Sequence, residues 1–259
     1  MISSTSNAKV KHMVHLQKSV KARKDENCFL VEGPRMFFET PADRLCECYV
    51  TEEFLHKYGD RMKEYRYKVI SDTVCRYLSD TKTPQGVIAV VKRQEPSLDL
   101  LLKKEKKPCF FLLENLQDPG NLGTMIRTGE AAGITGIIMN RETVDPYNPK
   151  VIRSTMGAVF RVPFLIVEDL SEAVASMKKA GIQVYAAHLK GDNFYRHDYR
   201  KGCAFLIGNE GNGLTPEMAS LADALITIPM KGNVESLNAA AAATILMYES
   251  LRQREFFSK

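Results

Sequence analysis

Two apolar runs near the carboxyl end of the chain each lead directly into a polar loop that contains glycine. Residues 203–207 run into Gly-Asn-Glu-Gly-Asn-Gly-Leu at 208–214, and residues 224–229 run into a second polar loop at 230–238. Open sheets of parallel strands bind ligands beyond the carboxyl ends of their strands. Glycine lets backbone groups approach a ligand closely, because it has no Cβ. The two loops are therefore the predicted binding site.

The residues that follow the second loop predict a closely packed final helix. Residues 239–243 are five alanines, and alanine is the strongest helix former. Ser236 and Asn238 lie just before this run, where their side chains could satisfy free N–H groups of the helix. Capping and ligand binding are both consistent with these two residues.

Apolar runs typical of strands alternate with helical patterns along most of the chain. In the second half, strands are predicted at 109–113, 136–139 and 182–187, and a helix over 124–132 follows a turn-rich loop at 114–123. This would place Arg127 about one turn inside that helix. Repeated strand–helix units predict an α/β fold with a largely parallel sheet and helices on both faces.

The first half of the chain shows the same alternation on a smaller scale, with predicted strands at 28–31, 45–50, 67–70 and 87–91. Short helices between them would give a small α/β layer. We therefore predict a first domain over residues 1–95, a charged linker over 96–107 and a second domain over 108–259.

Charge is concentrated at the amino terminus. The chain has 36 Lys and Arg against 31 Asp and Glu, a net charge of +5, which permits a polyanionic partner without requiring one. Residues 1–24 contain no acidic residue and predict a short basic helix, which is either a phosphate-binding element or a solvated face. Its basic residues are Lys9, Lys11, Lys18, Lys21, Arg23 and Lys24.

Several classes of protein are disfavoured by what the chain lacks. Its six cysteines form no Cys-x-x-Cys pair and its five histidines show no ligand spacing, so no metal site is predicted. Neither a Gly-x-x-x-x-Gly-Lys-Ser/Thr loop nor a Gly-x-Gly-x-x-Gly fingerprint is present, which disfavours kinases and dinucleotide dehydrogenases. No apolar run approaches a membrane span or a signal region. We expect a cytoplasmic protein that does not enter a membrane.

A polar set remains at the predicted strand ends. Each member has an ordinary alternative: Asn121 as a helix cap, Arg127 in a surface ion pair and Glu210 as a solvated charge. Their shared position at the ligand-binding edge favours a functional role for the set. The candidates are Asn121, Arg127, Glu210, Ser236 and Asn238.

Three longer motifs contain these residues, and their order resembles the SpoU (TrmH) family of RNA ribose 2′-O-methyltransferases in the SPOUT class. The motifs are Asp-Pro-Gly-Asn-Leu-Gly-Thr-Met-Ile-Arg at 118–127, Leu-Ile-Gly-Asn-Glu-Gly-Asn-Gly-Leu at 206–214, and residues 228–239. Residues 29–33 and 83–86 resemble the small RNA-binding domain that many members carry. The two regions cover nearly the whole chain.

The resemblance implies a C-terminal α/β knot domain, a deep trefoil knot that is an exception to the rule against threaded chains. It also implies that S-adenosylmethionine is the cofactor and that two copies form a homodimer through the methyltransferase domain. The residues implied to bind the cofactor are Gly208, Asn209, Glu210, Gly211, Ile228, Met230, Ser236 and Leu237.

By the same resemblance, Arg127 activates or orients the ribose hydroxyl, and Asn121 holds Arg127 or the ribose. A polar wall is completed by Glu210, Ser236 and Asn238. Arginine hardly deprotonates, so Arg127 would bind a phosphate or stabilise the developing alkoxide. The implied substrate is ribosomal RNA. Transfer RNA is an alternative, as are a non-catalytic RNA-binding or ribosome-assembly protein on the same fold and a Rossmann-type nucleotide enzyme.

Overall fold

The computed structural model describes residues 1–94 and 96–256. Its strands are β1 Cys28–Glu32, β2 Leu45–Val50, β3 Lys68–Val69, β4 Val87–Lys92, β5 Cys109–Leu113, β6 Gly136–Asn140, β7 Phe164–Val167, β8 Gln183–Asn193, β9 Cys203–Ile207 and β10 Ala224–Thr227. Its α-helices are α1 Ala8–Lys18, α2 Val20–Asp25, α3 Pro34–Phe38, α4 Glu52–Met62, α5 Asp72–Leu78, α6 Leu98–Leu102, α7 Pro119–Ala131, α8 Pro149–Thr155, α9 Leu170–Lys179, α10 Pro216–Ser220 and α11 Ala239–Phe256.

Contacts divide the chain into two compact units, of which the first comprises Met1–Arg93 and Asp145–Phe160. Its sheet has the order β1-β4-β2-β3, in which β4 is antiparallel to both β1 and β2 while β3 is parallel to β2. The division into a domain over residues 1–95, a linker over 96–107 and a domain over 108–259 stays a prediction.

The basic amino-terminal segment forms α1 and α2. Asn7 caps α1 by accepting a hydrogen bond from the Lys9 amide. Val10, Met13 and Leu16 recur at helical spacing, and all three are fully buried in the core of this unit. The apolar face therefore anchors the helix, and its lysines lie on the other side.

The second unit comprises the described parts of Gln94–Val144 and Arg161–Lys259. Its sheet has the order β10-β8-β9-β5-β6-β7, and every neighbouring pair is parallel. Successive strand residues point to opposite faces. Phe110 and Leu112 pack with α9 on one face, whereas Phe111 stacks with Phe205 on the other, where Cys203 contacts Ser250 of α11. The predicted parallel sheet with helices on both faces is confirmed.

Two predicted boundaries in this unit were wrong by more than one residue. Helix α7 begins at Pro119 rather than at residue 124, because Asp118 caps it and proline suits the first helical position. The glycines at 120 and 123 had suggested a loop, since glycine is a poor helix former. Strand β8 continues to Asn193 rather than ending at 187. Its second part pairs with β10 after an irregularity in register between Leu225 and Ile226.

After β9, the chain passes from one face of the sheet to the other. After β9 the chain forms α10, whose Met218 belongs to the core with α9, and then enters β10 at the edge beside β8. Residues 228–238 lead from that edge to α11, which packs on α7 and β9. Over the described part of the chain, no helix combines the length and the apolar character that crossing a bilayer requires.

Candidate active site

The loops that follow β5, β9 and β10 meet beyond the carboxyl ends of the parallel strands. Asn209 anchors the loop after β9: its Nδ2 donates to the Asn115 carbonyl at 2.8 Å, and its Oδ1 accepts from the amide of Gly211 at 2.9 Å. Backbone hydrogen bonds of 3.0 and 2.9 Å join Asn209 and Gly213 in both directions. Residues 209–213 therefore form a closed turn rather than an open loop.

Gly208 makes this turn possible through a close backbone approach. A Cβ on Gly208 would lie 2.1 Å from the carbonyl carbon of Gly213 and 2.2 Å from the nitrogen of Leu214. Both are backbone atoms, so no rotamer change could relieve the clash. Any side chain here would force the turn open, which explains the first glycine of the motif.

Glu210 is held by three hydrogen-bond donors from the region around the start of α7. The amides of Gln117 and Asp118 donate to its carboxylate at 3.0 and 2.9 Å, and Nδ2 of Asn121 donates at 2.9 Å. Burial raises the pKa of Glu210, but these donors favour the ionised form and lower the pKa below its ordinary value. Glu210 is therefore exposed, but its ionised carboxylate is anchored to the start of α7 rather than free in the loop.

Asn121 and Asn238 connect the first and third motifs. Nδ2 of Asn238 donates to Oδ1 of Asn121 at 2.9 Å. Oδ1 of Asn238 accepts from the amides of Ala240 and Ala241 at 2.9 and 3.1 Å, so the residue also caps α11. The capping role considered for Asn238 is therefore observed, while its role in ligand binding stays a prediction. Asn121 is not a cap, since Asp118 caps α7.

Arg127 lies two turns into α7 rather than one, because the helix begins earlier than predicted. It is exposed, and it forms neither a hydrogen bond nor an ion pair with any residue that the structure describes. The surface ion pair considered as its alternative role is therefore absent from the described chain. An uncommitted guanidinium is available for an anionic ligand.

A cavity of about 430 Å³ lies between the loops after β9 and β10 and residues 187–190 of β8. All eight predicted cofactor-binding residues line it: Gly208, Asn209, Glu210, Gly211, Ile228, Met230, Ser236 and Leu237. Of the five predicted catalytic residues, Glu210 and Ser236 line it, whereas Asn121, Arg127 and Asn238 do not. Ser236 is exposed and makes no hydrogen bond with the described residues, so it does not cap α11.

Sequence reasoning missed two groups of residues at this site. The Gln117 and Asp118 amides hold Glu210, and their position directly before α7 would have been visible had the helix start been placed correctly. His188, Leu189 and Lys190 also line the cavity. They lie in the part of β8 beyond residue 187, where the predicted strand ended.

The described residues of this site include no cluster of side chains that could bind a metal ion. No group of three or more His, Cys, Asp or Glu side chains is placed to hold a metal ion within residues 1–94 and 96–256. The polar groups of the site are instead amides, a carboxylate, a hydroxyl and an exposed guanidinium.

Comparison with known proteins identifies the class. The profile of the SpoU rRNA methylase family matches residues 108–248, and that of the MRM3-like substrate binding domain matches residues 7–89. The chain belongs to the SpoU rRNA methylase family. The predicted family, the α/β-knot fold class with its small N-terminal α/β domain, and the assignment as an RNA methyltransferase are therefore confirmed.

The similarity to individual proteins extends over nearly the whole length of the chain. The chain is 32% identical to the 23S rRNA (guanosine(2553)-2′-O)-methyltransferase RlmP of Bacillus subtilis, over 95% of this chain and 97% of RlmP. The SpoU methyltransferase AviRb of Streptomyces viridochromogenes, in complex with AdoMet, aligns with a TM-score of 0.86 and 29% identity, over 96% and 98% of the two chains. An AdoMet-bound rRNA methyltransferase of Sinorhizobium meliloti aligns with a TM-score of 0.85 and 30% identity, over 98% and 97%.

Proposed function

We propose that this enzyme transfers a methyl group from S-adenosylmethionine to a ribose 2′-hydroxyl of ribosomal RNA. The observation that carries the proposal is the meeting of three distant motifs at one site. Asn121 binds both Glu210 and Asn238, beside a cavity that every predicted cofactor-binding residue lines. The similarity to the 2′-O-methyltransferase RlmP, which covers nearly all of both chains, supports the reaction class.

S-adenosylmethionine is the cofactor, and the cavity fits it. A volume of about 430 Å³ is within the range of small-molecule sites, roughly 300–1,000 Å³. Ile228, Met230 and Leu237 supply apolar surface for an adenine ring, while the backbone of the 208–213 turn supplies polar groups for a ribose and an amino acid. When bound, the cofactor supplies an electrophilic methyl group on a sulfonium.

The residues around the cavity have separate roles in the rest of the reaction. The attacking 2′-oxygen must be positioned and must lose its proton. Glu210 is poorly suited to take that proton, because its lowered pKa makes it a weak base and three donors already occupy its oxygens. We assign it the positioning of α7, which carries Arg127. The Arg127 guanidinium then stabilises the developing alkoxide or binds a neighbouring phosphate. Ser236 adds a free hydroxyl at the cavity wall.

Ribosomal RNA is the proposed substrate class because the similar protein RlmP is named as a 23S rRNA methyltransferase. A 2′-hydroxyl acceptor exists in RNA and not in DNA. The first unit, which matches a substrate-binding domain, and the basic helix α1 would hold the RNA backbone. We place the enzyme in the cytoplasm.

We also propose that the enzyme is a homodimer through its methyltransferase domain. Leu189 and Val234 are 63% and 61% exposed and belong to the segments that surround the cavity, where an apolar contact with a second copy would cover them. Light scattering after size exclusion should give twice the mass of one chain, 29.1 kDa. A monomer at micromolar concentration would refute this part of the proposal.

The decisive test of the reaction is transfer of labelled methyl groups to RNA. Purified enzyme with S-adenosylmethionine should label ribosomal RNA from cells that lack the protein, and nuclease digestion should release a 2′-O-methylated nucleoside. Labelling of transfer RNA instead would refute the substrate class but not the chemistry. Absence of labelling on both, with intact cofactor binding, would refute the proposed reaction.

A further inference from the structure

A second cavity lies at one edge of the sheet in the first unit. Strands β1, β2 and β3 run in one direction and β4 in the other, so the ends of three strands and the start of the fourth share this edge. The cavity measures about 460 Å³, a size typical of small-molecule sites. Its lining includes Thr51, Phe54, Tyr58, Arg76, Gln85 and Gly86.

The floor of this cavity is fixed by Gly86. Its φ is +78°, and a Cβ there would lie 2.6 Å from Oγ1 of Thr51 and 2.9 Å from Cβ of Phe54. The Gly86 carbonyl accepts from the Thr51 amide at 2.9 Å, and Thr51 in turn caps α4. Gln85 is exposed above this floor, and its amide makes no hydrogen bond with any described residue. The oxygen of this unpaired amide lies close to Gly33.

An aromatic wall stands beside the floor. The Tyr58 ring is half-buried, with its centroid 4.7 Å from that of Phe54 and 5.7 Å from that of Phe38. The Arg61 guanidinium lies 3.5 Å from the centroid of the Phe38 ring, and this cation–π contact supports the aromatic cluster. Tyr58 is thus a supported and partly exposed ring, and the Lys57 ammonium lies over it, 5.4 Å from its centroid. Nucleic-acid bases stack on such rings with little dependence on sequence.

The cavity is lined by both positively and negatively charged side chains, and this limits the kinds of ligand that it can bind. Lys57 and Arg76 have no carboxylate partner, and Glu53 and Asp72 have no cationic partner, among the residues that the structure describes. A free phosphate would meet two carboxylates as well as two cations. A nucleotide offers a phosphate to the cations and base N–H groups to the carboxylates, so it suits both signs.

We propose that this cavity binds an unpaired nucleotide of the RNA substrate. The base stacks on Tyr58 and pairs with the Gln85 amide and a neighbouring carboxylate, while the phosphate lies against Lys57 and Arg76. This assignment rests on the proposed function, because it takes RNA as the substrate. It gives the first unit a site that recognises a flipped-out base in addition to a charged surface.

The test compares full-length variants by fluorescence anisotropy with a labelled hairpin RNA that has an unpaired loop. Tyr58→Ala should weaken binding at least about fivefold, the loss expected for one stacked base. Tyr58→Phe should restore it, because the ring remains. Tyr77→Ala is the matched control, since Tyr77 is 56% exposed in the same unit and does not line the cavity.

A second pair of variants tests the phosphate contact. Arg76→Gln should weaken hairpin binding and reduce its salt dependence, whereas Arg66→Gln, an exposed arginine outside the cavity, should change neither. A fully paired duplex should bind all variants alike. Equal losses on duplex and hairpin would overturn the proposal, since the cavity would then contact only the backbone.

Two further measurements separate this inference from the proposed function. Thiouridine in the hairpin loop should cross-link under ultraviolet light to residues 53–58 or 83–86, and cross-links confined to other segments would overturn the cavity assignment. S-adenosylmethionine binding by calorimetry should be unchanged in every variant. Wild-type RNA affinity in Tyr58→Ala and Arg76→Gln, with methyl transfer intact, would refute the inference and leave the proposed function standing.

Discussion

Asn238 donates a hydrogen bond of 2.9 Å to Asn121, and the two residues are 117 positions apart in the chain. The same Asn238 side chain caps α11 through its oxygen, and the same Asn121 side chain holds Glu210 through its nitrogen. Two asparagine amides therefore fix the start of the last helix, the start of α7 and the turn after β9 relative to one another. The amide group suits this position because it donates and accepts at once.

Asn238→Asp should separate the two roles of this residue. The variant keeps a capping oxygen and loses the Nδ2 donor, so stability should stay near that of the wild type while methyl transfer falls at least about tenfold. Asn238→Ala should also lose the cap, at a cost of about 1 kcal/mol. Thermal melts and single-turnover methylation measure the two effects. If Asn238→Asp matched the wild type in rate, the bond to Asn121 would have no catalytic importance.

The sequence was most informative where a local pattern determines structure. The strands 45–50 and 109–113 and the start of α11 were predicted at their observed bounds, because a short apolar run favours a buried strand and a run of alanine favours a helix. The start of α7 was missed, since two glycines outweighed the proline and the aspartate cap. The eight cofactor-binding residues were taken from the family motifs, and all of them line one cavity. Their assignment to the cofactor remains a prediction.

What the sequence could not show was which polar atoms meet. Glu210 and Asn121 are each compatible with solvent exposure when read alone. Their contact depends on the order of strands in the sheet, which places the end of β9 beside the end of β5. Long-range pairing of this kind has no local signature. For the same reason, the cavity of the first unit could not be found from the two short segments at 29–33 and 83–86.

Arg127→Ala should remove nearly all catalysis without loosening the fold. Because Arg127 is exposed and has no partner among the described residues, its removal should change stability by no more than about 0.5 kcal/mol. Methyl transfer should fall by roughly 10²–10³, the loss typical of a group that stabilises developing charge. Calorimetry should show an affinity for S-adenosylmethionine within about twofold of wild type. Arg196→Ala, another exposed arginine of the same unit, is the control, and wild-type turnover in Arg127→Ala would remove Arg127 from the mechanism.

Glu47 makes the first unit sensitive to acid. Burial raises the pKa of this carboxyl, but hydrogen bonds from Lys68, Lys9 and Tyr49 outweigh burial and lower the pKa from 4.5 to about 2. Ionised Glu47 therefore stabilises the fold fully above about pH 4.5, and this contribution is lost as the pH falls from 4.5 towards 2.

Glu47→Gln consequently should lower the melting temperature at pH 7, and the difference from wild type should shrink steadily between pH 5 and pH 3. Circular dichroism is the appropriate probe, because the chain contains no tryptophan. Glu64→Gln, an exposed glutamate of the same unit without an ion pair among the described residues, should show no such trend. A difference that is constant across this pH range would show that Glu47 is not the titrating group.

Gly208→Ala should prevent the turn after β9 from closing. The added methyl would lie 2.1 Å from the carbonyl carbon of Gly213. Because a Cβ has no rotamer freedom and the Gly213 carbon belongs to the backbone, the turn must move. The cavity wall moves with it, so the affinity for S-adenosylmethionine should fall at least about tenfold. Gly232→Ala is the matched control, because a Cβ at Gly232 meets nothing within 4 Å in a loop beside the same cavity. Calorimetric titration of the two variants decides the matter: if both bind the cofactor as the wild type does, the 208–213 turn cannot be the wall against which the cofactor packs.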